Sequence, residues 1–474
     1  SWPPFDGDGH EGRIFDVGLV GGRVTGGMAA VGGLAGSNYG TIRGGYVTGM
    51  KIEGNFGAGG LVGVNSGTIE RSYADATVAG SESSFYIGGL VGSSSGTIRS
   101  SYASGVVTGS YDVGGLVGGN SGVIEKSYAT ATVTATDADA GGLAGLNFGH
   151  IRQSYATGAV TGADPSSTGG LVGFGFEGFG TVTDSYWDKE TTGQATSFGS
   201  PEEAGLTTVQ MRNAASFVGW DIDAVGGSDD TWRIYEGTTA PLLKAFLTPL
   251  TVTGRNVTIS YNGAATHALE AGDYDFSAAP KAGGVLGSGV YIAASANAGS
   301  YSVGANSLSL TGLYSHQQGY DLVIDGSLTI APKVLTARLT GPLTKIYDGT
   351  LSALLTSGDF ELEGLVGSES FTITRTDGVY NSANVAEANM VTAALAVGDF
   401  VAGEGTVASN YVLPTEASGV GTITPRAVVV KASEGTSTYG DASADIGFSA
   451  EGLVSGETVA VLTGLSTDTP ITAT

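Results

Sequence analysis

Side chains that could carry out chemistry are few in this chain and are widely spaced. Its 474 residues include four histidines and no cysteine, which excludes thiol catalysis, disulfide bonds and cysteine-ligated metal. The histidines share no H-E-x-x-H pattern, so zinc protease chemistry has no support. The remaining candidates are one serine in a G-x-S-x-G string, two G-x-G-x-x-G strings and several groups of acidic residues.

Neither glycine-rich motif stands in the context that its chemistry needs. Residues 92–96 spell G-x-S-x-G, but a nucleophile elbow lies between a strand and a helix. Ser94 instead aligns with Asn65 and Asn120, which are turn residues of an internal repeat. The G-x-G-x-x-G strings at 7–12 and 173–178 open no helix after a strand, so dinucleotide binding is not expected.

Acidic residues collect in the variable segments that precede each G-G-L string. Calcium favours carboxylates on flexible loops, but no EF-hand or RTX nonapeptide is present. A solvated acidic edge is the first interpretation, and a calcium site is the weaker alternative. No other cofactor is expected. The edge would consist of Glu82, Asp112, Asp137, Asp139 and Asp164, and the calcium candidates are Asp112, Asp137, Asp139 and Asp164.

The overall charge excludes several classes of partner. Acidic residues outnumber basic ones by 45 to 20, for a net charge of −25. Such a surface repels phosphate, so nucleic acids and anionic lipids are not expected partners. No apolar run is long enough to insert into a membrane. The first residues do not form a signal peptide and the last ones form no anchor, so we expect a piece of a longer chain.

An internal repeat organises the first 200 residues. The string G-G-L-[VA]-G recurs at intervals of 27, 29, 26, 27 and 28 residues, and each unit has three short β-type runs between Gly or Asn turns. This length, without helical periodicity, predicts a right-handed parallel β-solenoid in which equivalent residues stack. One inner ladder would be Leu34, Leu61, Leu90, Leu116, Leu143 and Leu171. A second would be Ile42, Ile69, Ile98, Ile124, Ile151 and Val182.

Charge alternates from unit to unit at the position after the second ladder. Opposite charges on neighbouring strands favour pairing and like charges oppose it. We therefore expect this outward column to select the register of the coils and not to bind a ligand. Its members are Arg43, Glu70, Arg99, Glu125 and Arg152.

The repeat ends near residue 200, and a second repetition begins near residue 249. A capping box over 207–210 predicts a short helix, and Phe217, Trp220 and Trp232 are expected to plug the open end of the solenoid. Thereafter β-rich runs follow Pro249, Pro332 and Pro425. Each run leads to a tyrosine turn, at 261–263, 347–349 and 439–441.

These repeats resemble known families. Gly60-Leu61-Val62-Gly63 and its equivalents resemble the GLUG motif, the block 184–193 is similar to the end of such arrays, and Phe5 to His10 is similar to their opening strand. The later segments resemble two kinds of module of large bacterial surface proteins. The likeness to YDG domains lies in 347–349 and 410–413, and that to MBG domains in 439–441. The resemblance to filamentous-haemagglutinin-like bacterial adhesins implies an extracellular or cell-surface location and prescribes no catalytic residues.

The sequence thus predicts an all-β protein, a solenoid followed by tandem small β-sandwich-like modules. The predicted divisions are solenoid 1–200, cap 201–247, MBG-like module 248–332, YDG-like module 333–425 and the start of another MBG-like module 426–474. The expected function is a non-enzymatic adhesin stalk that attaches to a host-cell, matrix or polysaccharide ligand through the variable loops or the later modules. The alternative is a secreted β-helix lyase or hydrolase of polysaccharides.

Overall fold

Equivalent segments of successive repeats hydrogen-bond side by side, so the repeat winds into a solenoid with three parallel sheets. The structure, a computed structural model, describes residues 12–305, 307–435 and 446–466. The predicted all-β class and the parallel β-solenoid, of about six coils, are confirmed. The chain divides into two compact units, one of residues 1–255, 269–290 and 310–325, the other of 256–268, 291–309 and 326–474.

The first sheet of the solenoid, the isoleucine sheet, has a three-residue strand from every coil. Ile69 lies beside Ile42 on one side and beside Ile98 on the other. This in-register pairing places Ile42, Ile69, Ile98, Ile124 and Ile151 in the same inward position, and all five are fully buried. Ile14 of the first strand is partly buried against the same core. The strands are Arg13–Phe15, Thr41–Arg43, Thr68–Glu70, Thr97–Arg99, Val123–Glu125, His150–Arg152 and Thr181–Thr183.

The second sheet, the tyrosine sheet, is the largest and has 15 strands. Its main path consists of Gly18–Val20, Tyr46–Glu53, Tyr73–Ala79, Tyr102–Gly114, Tyr128–Ala129, Tyr155–Ala156, Tyr186–Asp188 and Gly205–Leu206. Beside this path lie Arg23–Thr25, Val31–Gly32, Phe56–Gly59, Phe85–Gly88, Thr132–Gly141, Val160–Gly162 and Thr168–Gly169.

The third sheet, the asparagine sheet, closes each coil. Its strands are Ala35–Asn38, Val62–Asn65, Val91–Ser94, Val117–Asn120, Ala144–Asn147 and Val172–Phe174. Five of the six ladder leucines are fully buried where the chain enters these strands, and Leu34 of the first coil is partly buried against the same core. The interior is therefore a column of stacked aliphatic side chains.

The residues after the last coil form short elements. The helices are Lys189–Thr192 and Thr208–Met211, and the capping box predicted for the second is present. A small sheet combines Ile222–Asp223, Trp232–Arg233 and Leu242–Leu243. Thr248–Gly254 then pairs with Tyr274–Phe276 and Tyr320–Asp325. Single 3-10 turns occur at Pro165–Ser167, Glu202–Ala204, Ala214–Ser216 and Lys244–Phe246. Among the described residues, no helix is long and apolar enough to cross a membrane.

The second unit is built from small, mostly antiparallel sheets. One contains Val257–Ser260, Ser327–Ala331 and Gly299–Ser302. The largest contains Ser352–Leu354, Asp377–Tyr380, Met390–Ala394, Glu416–Thr424, Thr336–Leu339, Phe360–Glu363 and Leu343–Ile346. Two-stranded pairs join Lys333–Val334 with Tyr411–Val412, Phe371–Ile373 with Phe400–Ala402, and Val429–Ala432 with Phe448–Glu451. This unit also contains strand Thr266–Ala268 and the 3-10 turns Val303–Ala305, Ser357–Asp359, Val397–Asp399, Ala408–Asn410 and Val459–Val461. Strands Leu286–Ala293 and Leu308–Tyr314 each have residues in both units.

Candidate functional site

A ladder of stacked tyrosines runs along the outer face of the tyrosine sheet. Because equivalent strands pair in register, the tyrosine that opens each strand lies directly beside its counterpart in the next coil. Consecutive ring centroids are 4.9–5.3 Å apart, and the ring planes differ by 5° or less. The rings therefore present their edges, not their faces, outward. The stacked members are Tyr46, Tyr73, Tyr102, Tyr128 and Tyr155.

Aromatic residues that follow the solenoid pack against the side of this ladder. We call Phe217, Trp232 and Phe246, with the segments that carry them, the aromatic cover. Phe246 packs edge-on against Tyr102, with centroids 5.0 Å apart, and the Trp232 centroid lies 5.9 Å from that of Tyr155. Phe217 packs edge-on against Tyr186 at 5.3 Å. Phe217, Trp220 and Trp232, which we expected at the open end of the solenoid, thus pack against tyrosines along its side. Gly205–Leu206 of the predicted cap pairs with the last coil.

Hydrogen bonds fix the tyrosine hydroxyls beneath this cover. Tyr128 donates to Gln317 Oε1 at 2.9 Å, and Tyr155 donates to the carbonyl of Pro241 at 2.7 Å. The Tyr102 hydroxyl accepts a hydrogen bond from Gln318 Nε2. Burial raises the pKa of all three tyrosines, although the bond from Gln318 opposes that shift at Tyr102. These phenols therefore stay neutral and act as anchors.

Ion pairs attach the cover to the solenoid and to the strand Tyr320–Asp325. Lys126 Nζ lies 3.2 Å from Asp221 Oδ1. Lys244 Nζ lies 2.7 Å from Asp223 and 3.1 Å from Asp321, both of which are buried. Arg233, also buried, completes the cluster through a 3.1 Å contact with Asp321. Sequence reasoning missed this cluster, since its members are scattered over about 100 residues and form no motif.

Between the tyrosine sheet and this cover lies a groove of about 830 Å³. One wall is a column of polar side chains, one from each coil, at the second position after each ladder tyrosine and after Tyr186: Thr48, Asp75, Ser104, Thr130, Thr157 and Asp188. The facing wall includes Arg212, Thr238, Thr239, His316 and Gln318. The lining also includes Tyr102, Met211 and Leu242, so the groove is both polar and apolar, and its polar column follows the solenoid axis.

The two carboxylates of the polar column have different surroundings. Asp188 is buried and caps the helix Lys189–Thr192, since its Oδ1 accepts bonds from the backbone N–H groups of Glu190 and Thr191. The hydroxyl of Thr208 donates to its Oδ2 at 2.8 Å. Asp75 is exposed. Four coil spacings separate the two residues, or about 19 Å at the usual distance between strands.

Two known family models match parts of this chain. The model of the GLUG motif matches residues 109–134, and the model of the YDG domain matches residues 331–419. The chain carries a GLUG motif and a YDG domain. Both agree with the resemblance drawn from the sequence. The GLUG match spans one coil of the solenoid, and the YDG match spans most of the seven-stranded sheet of the second unit. No curated protein matches the chain.

The alternating charges lie on consecutive strands of the GLUG coils. Glu70 stands opposite Arg43 on one side and Arg99 on the other, and Arg99 is also opposite Glu125. Glu70 pairs with Arg99 at 2.6 Å, and Glu125 pairs with Arg152. Partial burial raises the pKa of Glu70, but the hydrogen bond from Arg99 and the nearby guanidinium charges outweigh it and lower the pKa overall. The ion pairs thus link coils two by two.

The acidic edge is brought together only in part. Asp112 and Asp139 are neighbours in adjacent coils, and burial together with the charge and hydrogen bond of Asp139 raises the pKa of Asp112 to about 7. Asp164 instead caps the turn Pro165–Ser167, and Glu82 and Asp137 are exposed. In the described part of the chain, no group of three or more His, Asp or Glu residues is placed to hold a metal ion.

The motifs for which sequence analysis expected no chemistry lie in strands and turns where the structure describes them. Ser94 is buried at the end of its strand, beside Asn65 and Asn120, and its Oγ accepts a hydrogen bond from Asn65 at 3.1 Å. The string 173–178 begins within the strand Val172–Phe174 and ends in a turn. His150 is exposed and bonds to Thr181 at 2.8 Å. His10, residues 7–11 of the string 7–12, the opening strand 5–10 and the turn 439–441 lie outside the described residues.

Two further ladders escaped sequence analysis. A buried serine precedes the corresponding tyrosine in five coils, and the backbone N–H of each of the first four donates to the Oγ of the serine one coil later at 3.1–3.2 Å. These serines are Ser72, Ser101, Ser127, Ser154 and Ser185. The repeated S-Y-A string was the available signal. The residue just before each serine has a left-handed backbone, with φ of 45–47° in five coils. Its members share no residue type, so no signal was available: Arg71, Ser100, Lys126, Gln153 and Asp184.

Proposed function

We propose that this protein is an extracellular or surface-displayed bacterial adhesin whose GLUG solenoid binds an oligosaccharide. The groove beneath the aromatic cover carries the proposal. It offers a straight row of polar side chains, open along the solenoid axis and braced by a rigid tyrosine ladder. The YDG and GLUG matches support a repetitive surface protein.

The ligand class follows from the chemistry and spacing of the polar column. Adjacent strands are about 4.8 Å apart, which is close to the length of one pyranose unit. Threonine and serine hydroxyls both donate and accept hydrogen bonds, as sugar hydroxyls do. The net charge of −25 disfavours a polyanionic ligand. A neutral oligosaccharide lying along the axis meets these conditions, with one polar side chain for each sugar.

The same column favours binding over cleavage. Glycosidases hold two carboxyl groups about 5–9.5 Å apart, whereas Asp75 and Asp188 are four coils apart. Asp188 already accepts three hydrogen bonds within the protein, so it is engaged as a helix cap. We therefore propose a non-enzymatic role, in which many copies displayed on one surface bind together and so strengthen the attachment.

The proposal is tested by blocking the groove. Thr130 is an exposed member of the polar column, and Thr132 is an exposed threonine of the same coil outside the groove. The two residues therefore provide a matched pair of substitutions, Thr130→Trp and Thr132→Trp. The measurement is binding of the wild-type chain and both variants to an array of immobilised neutral oligosaccharides.

Wild-type protein and Thr132→Trp should bind the same glycans, and Thr130→Trp should lose them. Equal binding by both variants, or no wild-type binding to any neutral oligosaccharide, would contradict the groove proposal. A further variant with Glu82, Asp112, Asp137, Asp139 and Asp164 neutralised tests the acidic edge as the ligand site. Loss of glycan binding in that variant alone would indicate that the ligand binds at the acidic edge and not in the groove.

A further inference from the structure

Two tyrosine turns of the second unit have the same local geometry. In the turn 261–263, Asn262 Oδ1 accepts the backbone N–H of Ala264 at 2.9 Å. In the turn 347–349, Asp348 Oδ1 accepts the N–H of Thr350 at 2.9 Å. The closing glycines, Gly263 and Gly349, have left-handed φ values of 80° and 73°. Each turn therefore projects a tyrosine and a bare glycine in a fixed relation.

Both tyrosines donate to a glutamate more than 100 residues further along the chain. The Tyr261 hydroxyl bonds Glu369 Oε1 at 2.7 Å. The Tyr347 hydroxyl bonds Glu457 Oε1 at 2.5 Å. The separations are 108 and 110 residues, so the second contact repeats the first one module later.

Both glycines lie against a valine that stands three residues before that glutamate. A Cβ atom added to Gly263 would lie 3.0 Å from Val366 Cγ1, and one added to Gly349 would lie 3.0 Å from Val454 Cγ1. Such a contact is tighter than carbon atoms normally make. The bare glycine therefore allows the turn to approach the valine closely.

The two receiving loops share sequence and shape. Residues 364–369 read G-L-V-G-S-E and residues 452–457 read G-L-V-S-G-E. In each loop the glutamate N–H donates to the valine carbonyl, at 3.1 Å for Glu369 and 3.0 Å for Glu457. Each follows an edge strand, Phe360–Glu363 or Phe448–Glu451. The loop is thus preshaped by its own backbone.

Further residues of the YDG domain complete the first contact. Tyr411 donates to Glu369 Oε2 and accepts the N–H of Val366 at 3.0 Å. Its ring also packs edge-on against Tyr261, with centroids 5.5 Å apart. Asn410 is fully buried, and its Oδ1 accepts the N–H of Ala298 at 2.8 Å. Asn410 and Tyr411, which carried the YDG likeness, therefore both contact the preceding segment.

We propose that the tyrosine turn and the Gly-Leu-Val loop form a reusable joint between successive β modules. The partner of a Tyr-Asx-Gly turn is the G-L-V-x-x-E loop of the module that follows. The hydrogen bond from tyrosine to glutamate orients the turn on the loop, and the contact of glycine with valine lets the two pack closely. The YDG motif is then a docking element that holds neighbouring modules at a fixed angle, independently of what the solenoid binds.

The experiment measures the distance across the joint in the full chain. Since the chain has no cysteine, Thr258→Cys and Thr372→Cys introduce two spin-label sites at exposed positions on either side of the contact. Pulsed electron paramagnetic resonance should give one narrow distance. Tyr261→Phe and Gly263→Val should each convert it into a broad distribution.

Two controls carry the same chemical changes away from the joint. Tyr155→Phe removes a tyrosine bond to a carbonyl, that of Pro241, within the first unit. Gly405→Val places the same side chain at a φ of 76°, where nothing lies within 4 Å of an added Cβ. Both should keep the narrow distance. Unchanged distances in Tyr261→Phe and Gly263→Val, or equal broadening in the controls, would overturn the joint; circular dichroism on each variant identifies loss of the fold.

Discussion

At the scale of single residues, Arg99 is placed to report on coil register. It stands between Glu70 and Glu125 and pairs with Glu70 at 2.6 Å. Arg99→Glu would put three carboxylates on adjacent strands, so we expect a loss of about 1–2 kcal/mol in the free energy of unfolding. The measurement is the melting temperature at low and high salt, and salt should restore part of the loss because it screens exposed charges.

Arg99→Gln is the control, since it removes the attraction without adding a repulsion. Its effect should be smaller and should not recover with salt. Replacing Glu70 and Glu125 with arginine in the Arg99→Glu background should recover much of the stability. An unchanged melting temperature in Arg99→Glu at low salt would contradict the electrostatic role of the column.

Asp112 makes a second residue-scale prediction, on pH dependence. Burial and Asp139 raise its pKa from 3.8 to about 7 in the folded state, so the folded state holds a proton that the unfolded state releases. That stabilisation is complete below pH 3.8 and is lost as the pH rises toward 7. Asp112→Asn should therefore stabilise the protein by about 1–3 kcal/mol at pH 8, as each pKa unit corresponds to about 1.4 kcal/mol.

Asparagine also suits the site because Asp112 has a left-handed φ of 53°, which asparagine tolerates. The check is a series of melting temperatures between pH 4 and pH 8. The wild type should lose stability across this range more steeply than Asp112→Asn. Asp137→Asn, at an exposed position of the same edge, should follow the wild type. Parallel curves for all three proteins would contradict a raised pKa of Asp112 in the folded state.

At the scale of secondary-structure elements, the serine ladder holds the corner where the isoleucine sheet meets the tyrosine sheet. Ser127 Oγ accepts the N–H of Ser101 at 3.2 Å and donates to the Glu125 carbonyl at 2.8 Å. Ser127→Ala leaves the buried N–H of Ser101 without this partner, whereas the Glu125 carbonyl still accepts the N–H of Ser100. The substitution should therefore cost about 1–3 kcal/mol. Ser121→Ala, at an exposed position of the same coil, should cost almost nothing. Chemical denaturation of both variants makes the comparison, and equal midpoints would mean that water replaces the ladder.

Elements that repeat were predictable, and elements that occur once were not. Equivalent residues of successive repeats lie side by side in the stacked coils. The neighbours of Ile69 and Glu70 can therefore be predicted from alignment of the repeats alone. The aromatic cover has no counterpart elsewhere in the chain. Its position depends on the row of tyrosine edges it buries, and that row exists only after the coils have formed. The left-handed corner at Lys126 and Gln153 was also hidden, because those residue types do not indicate such a backbone.

At the scale of the whole molecule, the two units have separate hydrophobic cores. Leu116 is fully buried in the solenoid core, and Val391 is fully buried in the core around the YDG domain. Separate cores allow separate unfolding steps, because two-state behaviour is a property of single domains. We expect calorimetry of the full chain to resolve at least two transitions.

Core substitutions should move these transitions one at a time. Leu116→Ala removes a buried side chain and should lower one midpoint, at a cost of about 2–5 kcal/mol. Val391→Ala should lower the other and leave the first in place, because the atoms that lose contacts belong to one unit only. The two variants serve as controls for each other. A single transition that both substitutions shift equally would mean that the units unfold as one cooperative body, and the boundaries at 255–256 and 325–326 would then have no thermodynamic counterpart.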